Sequence, residues 1–206
     1  MTSTLLSYFY VPCALGIAAL APNILSLLGG SEYVIVALPL RIIMFLTAIF
    51  VSQNIVTQVV ASIRKTRVFL YSSGFAMLGN MILSFTLIPR LGLIGAAIGY
   101  SSVYAITFWI LYFSSYKETV LSFDLLGILK IWTSSIMMFI FVYVVSISIG
   151  NSNYYLPFYV IMGGVIYLVL TRLMHIFKAK DKDLVLSLFP MKFTLLRRII
   201  LLLFLP

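Results

Sequence analysis

Acidic residues are scarce in this chain. There are five among 206 residues, and Glu32, Glu118, Asp124, Asp181 and Asp183 all fall at the edges of long apolar stretches or in the connections between them. With no carboxylate inside those stretches, the paired acids of general acid–base chemistry and the oxygen set of a hard-cation site are both missing. The single histidine, His175, excludes a two-histidine metal centre and reads as a polar tip at an interface. The single cysteine, Cys13, excludes an intrachain disulfide. Ala19-Leu20-Ala21 has the small-residue pattern of a signal cleavage site, yet no Lys or Arg precedes Arg41, so the basic leader region is missing. No phosphate-cradling glycine loop is present either. The expectation is a protein that is not an enzyme and uses no cofactor or metal.

Charge as a whole is low, at 9% of residues against about 25% in soluble domains, which excludes a water-soluble fold. In its place stand 63% hydrophobic residues and a mean hydropathy of +1.15. A bilayer core of about 30 Å needs about 20 apolar residues in a helix. Stretches of adequate length lie at 4–28, 34–61, 67–88, 92–115, 125–149 and 154–177. Runs this long satisfy their backbone groups as helices, not as the short alternating strands of a barrel. The fold class expected is therefore an all-α polytopic membrane protein with about six transmembrane helices, its membrane bundle covering 1–177. Residues 178–206 form a basic tail in which 184–189 and 199–205 are apolar but short, as in an interfacial helix or a clipped seventh span.

The net charge of +9 does not point to nucleic acid, because the cations sit in connections and not on one folded face. All of them except Arg41 and Arg90 fall on one side of a six-helix serpentine: Arg64, Lys65 and Arg67, then Lys117 and Lys130, then Arg172 to the end of the chain. By the positive-inside rule that side, with both termini, is cytoplasmic in a multi-pass protein of the cell membrane. Tyr33, Tyr112, Tyr116, Tyr154 and Tyr155 fall near expected span ends, where amphipathic rings favour the headgroup zone.

Polar residues inside the stretches are the candidates for function. Arg41 lies in the second one, where a guanidinium is costly and commonly faces a cavity or partner. It could contact an anionic group, or snorkel to the headgroups or pair with Glu32. On one continuous helix Thr47, Asn54 and Gln58 would share a face, and Arg41 and Ser52 another. The stripe could line an aqueous cavity or bond a neighbouring helix. Gly95 and Gly99, with Ala96, Ala97, Ser101 and Ser102 nearby, form a small-residue packing face. Pro12, Pro22, Pro39 and Pro157 interrupt or begin spans, as in the broken helices of transporters.

Asn80, followed by Leu87-Ile88-Pro89-Arg90-Leu91-Gly92 and then Gly95-Ala96-Ala97, resembles the signature of polysaccharide-export flippases of the multidrug/oligosaccharidyl-lipid/polysaccharide exporter superfamily. Pro22-Asn23-Ile24-Leu25-Ser26-Leu27-Leu28-Gly29-Gly30-Ser31-Glu32-Tyr33 resembles the segment that ends the family's ninth span. The resemblance implies the C-terminal part of a fourteen-helix flippase that moves lipid-linked oligosaccharide to the outer leaflet by alternating access, its last two spans helping to accommodate the lipid tail. For such a substrate, charge complementarity points to Arg41 as the contact for the diphosphate or acidic sugars, with Asn54 and Gln58 offering hydrogen bonds to hydroxyls, while Asn80, Pro89, Gly92, Gly95, Ala96 and Ala97, which match the family motif, are expected to have structural roles. The implied partners are membrane lipids, the lipid-linked oligosaccharide and a chain carrying the missing N-terminal helices. A multidrug-type antiporter and a non-transporting assembly partner are the other readings. The orientation is checked by labelling with a membrane-impermeant thiol reagent in intact cells: a cysteine placed at Asn151 reacts from outside, and reaction only from the cytosol reverses the topology.

Overall fold

The computed structural model describes residues 2–51, 53–62, 66–115, 125–149 and 153–174. Ser52, the loop cations Arg64, Lys65 and Lys117, the acids Glu118 and Asp124, the turn at 150–152, His175 and the basic tail lie outside the described residues. Among those described, every regular element is helical: α1 (Thr2–Ala19), α2 (Ala21–Gly29), α3 (Ala37–Ile49), α4 (Gln53–Ser62), α5 (Thr66–Leu91), α6 (Leu93–Ser115), α7 (Leu125–Ile149) and α8 (Leu156–Leu173). Short 3₁₀ turns at Ser31–Val36 and Asn153–Tyr155 lead into α3 and α8. Five helices are long and apolar enough to cross a bilayer, and six crossings result if α1 and α2 count as one bent span. The chain is an all-α, multi-pass membrane protein.

Two of the expected stretches are not single helices. The first bends by 71° between α1 and α2, with Pro22 in the first turn of α2. There the ring fixes φ and removes an N–H, conditions a helix start tolerates and a helix interior does not. The second stretch divides at Phe50, which leaves helical geometry at φ −95° and ψ 19°. No Pro or Gly marks that break. The Thr47 hydroxyl donates back to the carbonyls of Ile43 and Met44, at 2.8 and 3.2 Å, a bond that bends helices. The Phe50 ring then packs on Phe108 of α6, 5.9 Å between centroids. The common face expected for Thr47, Asn54 and Gln58 needs an unbroken register, so it is lost: Thr47 is buried, whereas Asn54 and Gln58 on α4 are exposed.

The helices pack one on the next in the order α5, α6, α3, α1, α7, α8, with α4 resting on α6. In lipid no hydrophobic force joins apolar helices, so close van der Waals fit decides which faces meet. The central seam is made by Val11 and Leu15 of α1, Ile131 and Val142 of α7 and Tyr159 of α8, all fully or nearly fully buried. Val56 and Val60 of α4 with Leu111 of α6 form a second, smaller cluster.

The hairpin between α5 and α6 is the most extensive helix pairing among the described residues. Its turn is one residue, Gly92, at φ +57°, a left-handed conformation that costs glycine nothing. Its N–H bonds the Ile88 carbonyl at 2.8 Å, and its own carbonyl accepts from Ala96 at 3.2 Å, so both helix ends are capped within the turn. Two turns further from the bend the Ser84 hydroxyl donates to Asn80 Oδ1 at 3.0 Å, and Gly99 of α6 lies against both side chains. Gly95 lies directly on the α5 backbone. A Cβ there would meet the Leu87 carbonyl carbon and oxygen at 2.5 Å, which forces the helices apart. Gly95→Ala is expected to lose about 1–3 kcal/mol through overpacking. Gly74→Ala on α5, where a Cβ meets nothing within 4 Å, should be neutral or stabilising by up to about 1 kcal/mol. Thermal unfolding in detergent compares the two, and equal stability would remove the close approach as the hairpin's constraint.

Candidate functional site

One cluster of enclosed polar groups lies where α1 breaks into α2. A proline at position i deprives the carbonyl of residue i−4 of its helical donor, so Pro22 frees the carbonyl of Ala18. Arg41 of α3 fills the vacancy, its Nε–H donating to the Ala18 oxygen at 3.1 Å. The same guanidinium lies over the ring of Tyr143 on α7, 5.0 Å from its centroid, within the range of a cation–π contact. Arg41 thereby ties together the break, α3 and α7. Among the described residues it forms no ion pair with Glu32, and its terminal nitrogens meet no acceptor. Three residues along α7 from Tyr143, hence on the same face, the Ser146 hydroxyl donates to Asn23 Oδ1 at 3.4 Å. Asn23 is fully buried, and its amide nitrogen has no acceptor among the described residues.

A second proline repeats the arrangement without a break. Pro12 sits inside α1 and frees the carbonyl of Tyr8, to which the hydroxyl of Tyr167 on α8 donates at 2.8 Å. An unsatisfied carbonyl in hydrocarbon costs several kcal/mol, whereas an interhelical bond in a membrane bundle is worth about 1 kcal/mol. Avoiding the vacancy therefore matters more than gaining the bond.

An apolar groove of about 450 Å³ lies beside this polar seam, between α1, α2, α7 and α8. Tyr8, Cys13, Ile24, Val142, Tyr159 and Gly163 are among its walls. Val142 lines the groove and its neighbour Tyr143 carries Arg41, so adjacent faces of one helix present a hydrocarbon-lined channel and a cation. That pairing suits an amphiphile with an anionic head.

The other site residues expected from the sequence lie elsewhere. Asn54 and Gln58 are exposed on α4, which packs on α6, while Arg41 turns toward α1 and α7. The structure does not bring the three into one site. Asn80, Pro89, Gly92, Gly95, Ala96 and Ala97 all belong to the α5–α6 hairpin. Tyr143, Asn23, Ser146 and Tyr167 are partners that sequence reasoning missed. The proline positions could have pointed to the Tyr8 and Ala18 carbonyls as vacant acceptors, but nothing local names the donors.

Among solved structures, the chain is similar to one described as lipid II flippase MurJ, inward closed conformation. The TM-score is 0.69 at 19% sequence identity, over 82% of this chain and 36% of that one. The chain thus spans about a third of the flippase it matches and has a flippase-like membrane fold. No protein-family model and no curated protein sequence matches it.

Proposed function

We propose that the chain is the C-terminal part of a transporter of the polysaccharide-export type, which passes a lipid-linked oligosaccharide across the cell membrane by alternating access. The observation that carries this reading is the meeting of a flippase-like fold with a cation beside an apolar groove. A lipid-linked glycan has a long hydrocarbon tail and an anionic phosphate linkage. The groove fits the tail, and the Arg41 terminal nitrogens, which meet no acceptor among the described residues, fit the phosphate oxygens. Asn54 and Gln58, exposed on α4, would offer hydrogen bonds to sugar hydroxyls from a separate surface. On this reading the protein transports and does not catalyse, and both termini are cytoplasmic. The helices it lacks relative to MurJ come from another segment or another chain, because six spans do not enclose a cavity between two lobes.

The test is export in a complete transporter. Arg41→Ala should lower export severalfold at unchanged protein level. Gly164→Phe, placed where a Cβ meets nothing within 4 Å on the groove wall, should fill the channel and lower export of the long-tailed substrate. Full export by both variants would remove this site from the transport path.

A further inference from the structure

Resting on the transport reading above, we propose that the Ala18 carbonyl and the Tyr143 ring are positioning groups, which orient the Arg41 guanidinium so that its two terminal nitrogens take a phosphate-type oxyanion end-on, through two parallel hydrogen bonds. A guanidinium carries five N–H donors in one plane, and it can grip a phosphate by its side, with Nε and one terminal nitrogen, or by its end, with both terminal nitrogens. Here the side is taken, because Nε–H donates to the Ala18 oxygen at 3.1 Å. Only the end is left. The Tyr143 ring covers one face of the group, with Cζ 5.0 Å from the ring centroid. Phe139, one turn earlier on α7, lies nearly parallel to Tyr143, at 4° and 5.9 Å between centroids, and so backs that ring. One hydrogen bond in the plane and one ring against the face together fix the plane of the fork. The Tyr143 hydroxyl makes no bond among the described residues, so the ring is the working part.

The terminal nitrogens are open to a ligand. They meet no acceptor among the described residues, yet the polar atoms sealed from contact without a partner belong to Asn23, Thr57 and Ser135 and not to Arg41. Depth then separates two sources of phosphate. Arg41 lies near the middle of the Ser31–Ile49 span, about 12 Å from its nearer end at 1.5 Å per residue. The phosphates of bulk phospholipid lie in the headgroup zone outside the hydrocarbon. An oxyanion at the depth of Arg41 therefore belongs to a head on its way across.

The experiment titrates the full chain, in phosphatidylcholine nanodiscs, with farnesyl diphosphate and with farnesol, which has the same tail and no phosphate. The readout is the ratio of the two dissociation constants, because a merely structural defect weakens both ligands together and leaves the ratio alone. Wild-type protein should prefer the diphosphate by about tenfold or more, and Arg41→Ala should abolish the preference. Arg41→Lys keeps the charge without the fork and should lose most of it. Tyr143→Leu should reduce the ratio by about three- to tenfold, whereas Tyr143→Phe should retain it. A preference that is missing in the wild type, or kept in Arg41→Ala, removes the anion contact on which the transport reading depends. A preference lost in Arg41→Ala but unchanged in Tyr143→Leu overturns the positioning role alone. Should Tyr143→Leu fail to accumulate, Phe139→Leu, which removes the backing ring, takes its place with the same two outcomes. In phosphatidylglycerol nanodiscs the difference between wild type and Arg41→Ala should persist, and its disappearance would assign the fork to bulk headgroups and overturn the mid-depth site.

Discussion

In hydrocarbon a carbonyl without a donor has no water to fall back on, and this constraint organises the centre of the fold. Two prolines in the first span create two such carbonyls, at Tyr8 and Ala18, and side chains from α8 and α3 fill them. Those bonds tie α8 and α3 to α1. The buried seam of α1, α7 and α8 and the contact of α3 with α1 follow the same directions. Polar satisfaction and packing therefore agree on one arrangement, as expected of a sequence whose levels are consistent.

The bundle has two characters. The α5–α6 hairpin is closed by glycine and held by backbone-to-backbone approach, with Gly95 against the Leu87 carbonyl. It has no slack. The α1–α2 segment is the opposite, with a sharp bend, a buried Asn23 amide nitrogen that lacks an acceptor among the described residues and an end that exposes Leu27 and Leu28.

Much of the fold was legible because lipid imposes a length rule that a linear sequence displays directly. Apolar runs bounded by charge or by Gly correspond to α6, α7 and most of α5, which continues through Pro89 and Arg90 to Leu91, and Gly92 marks the turn. The break at Phe50 was not legible: it comes from Thr47 bonding its own helix and from an aromatic contact with Phe108, and neither leaves a composition signal. Asn54 and Gln58 were read onto the face of Thr47 for that reason. Arg41 stood out from the sequence as a costly cation, but its setting did not, since Glu32 was the nearest opposite charge in the chain and the partners found are a carbonyl and a ring.

The sequence by itself determined the solvent, the helical class of its long apolar stretches and, through Pro12 and Pro22, which backbone acceptors must go begging. Those are local properties, fixed by residue type and the four-residue reach of a helical hydrogen bond. Only the tertiary structure decided who answers them: Tyr167, 159 positions away, and Arg41, 23 away. The choice of donor is made by which helices can pack against α1, and that depends on complementary surfaces meeting in space.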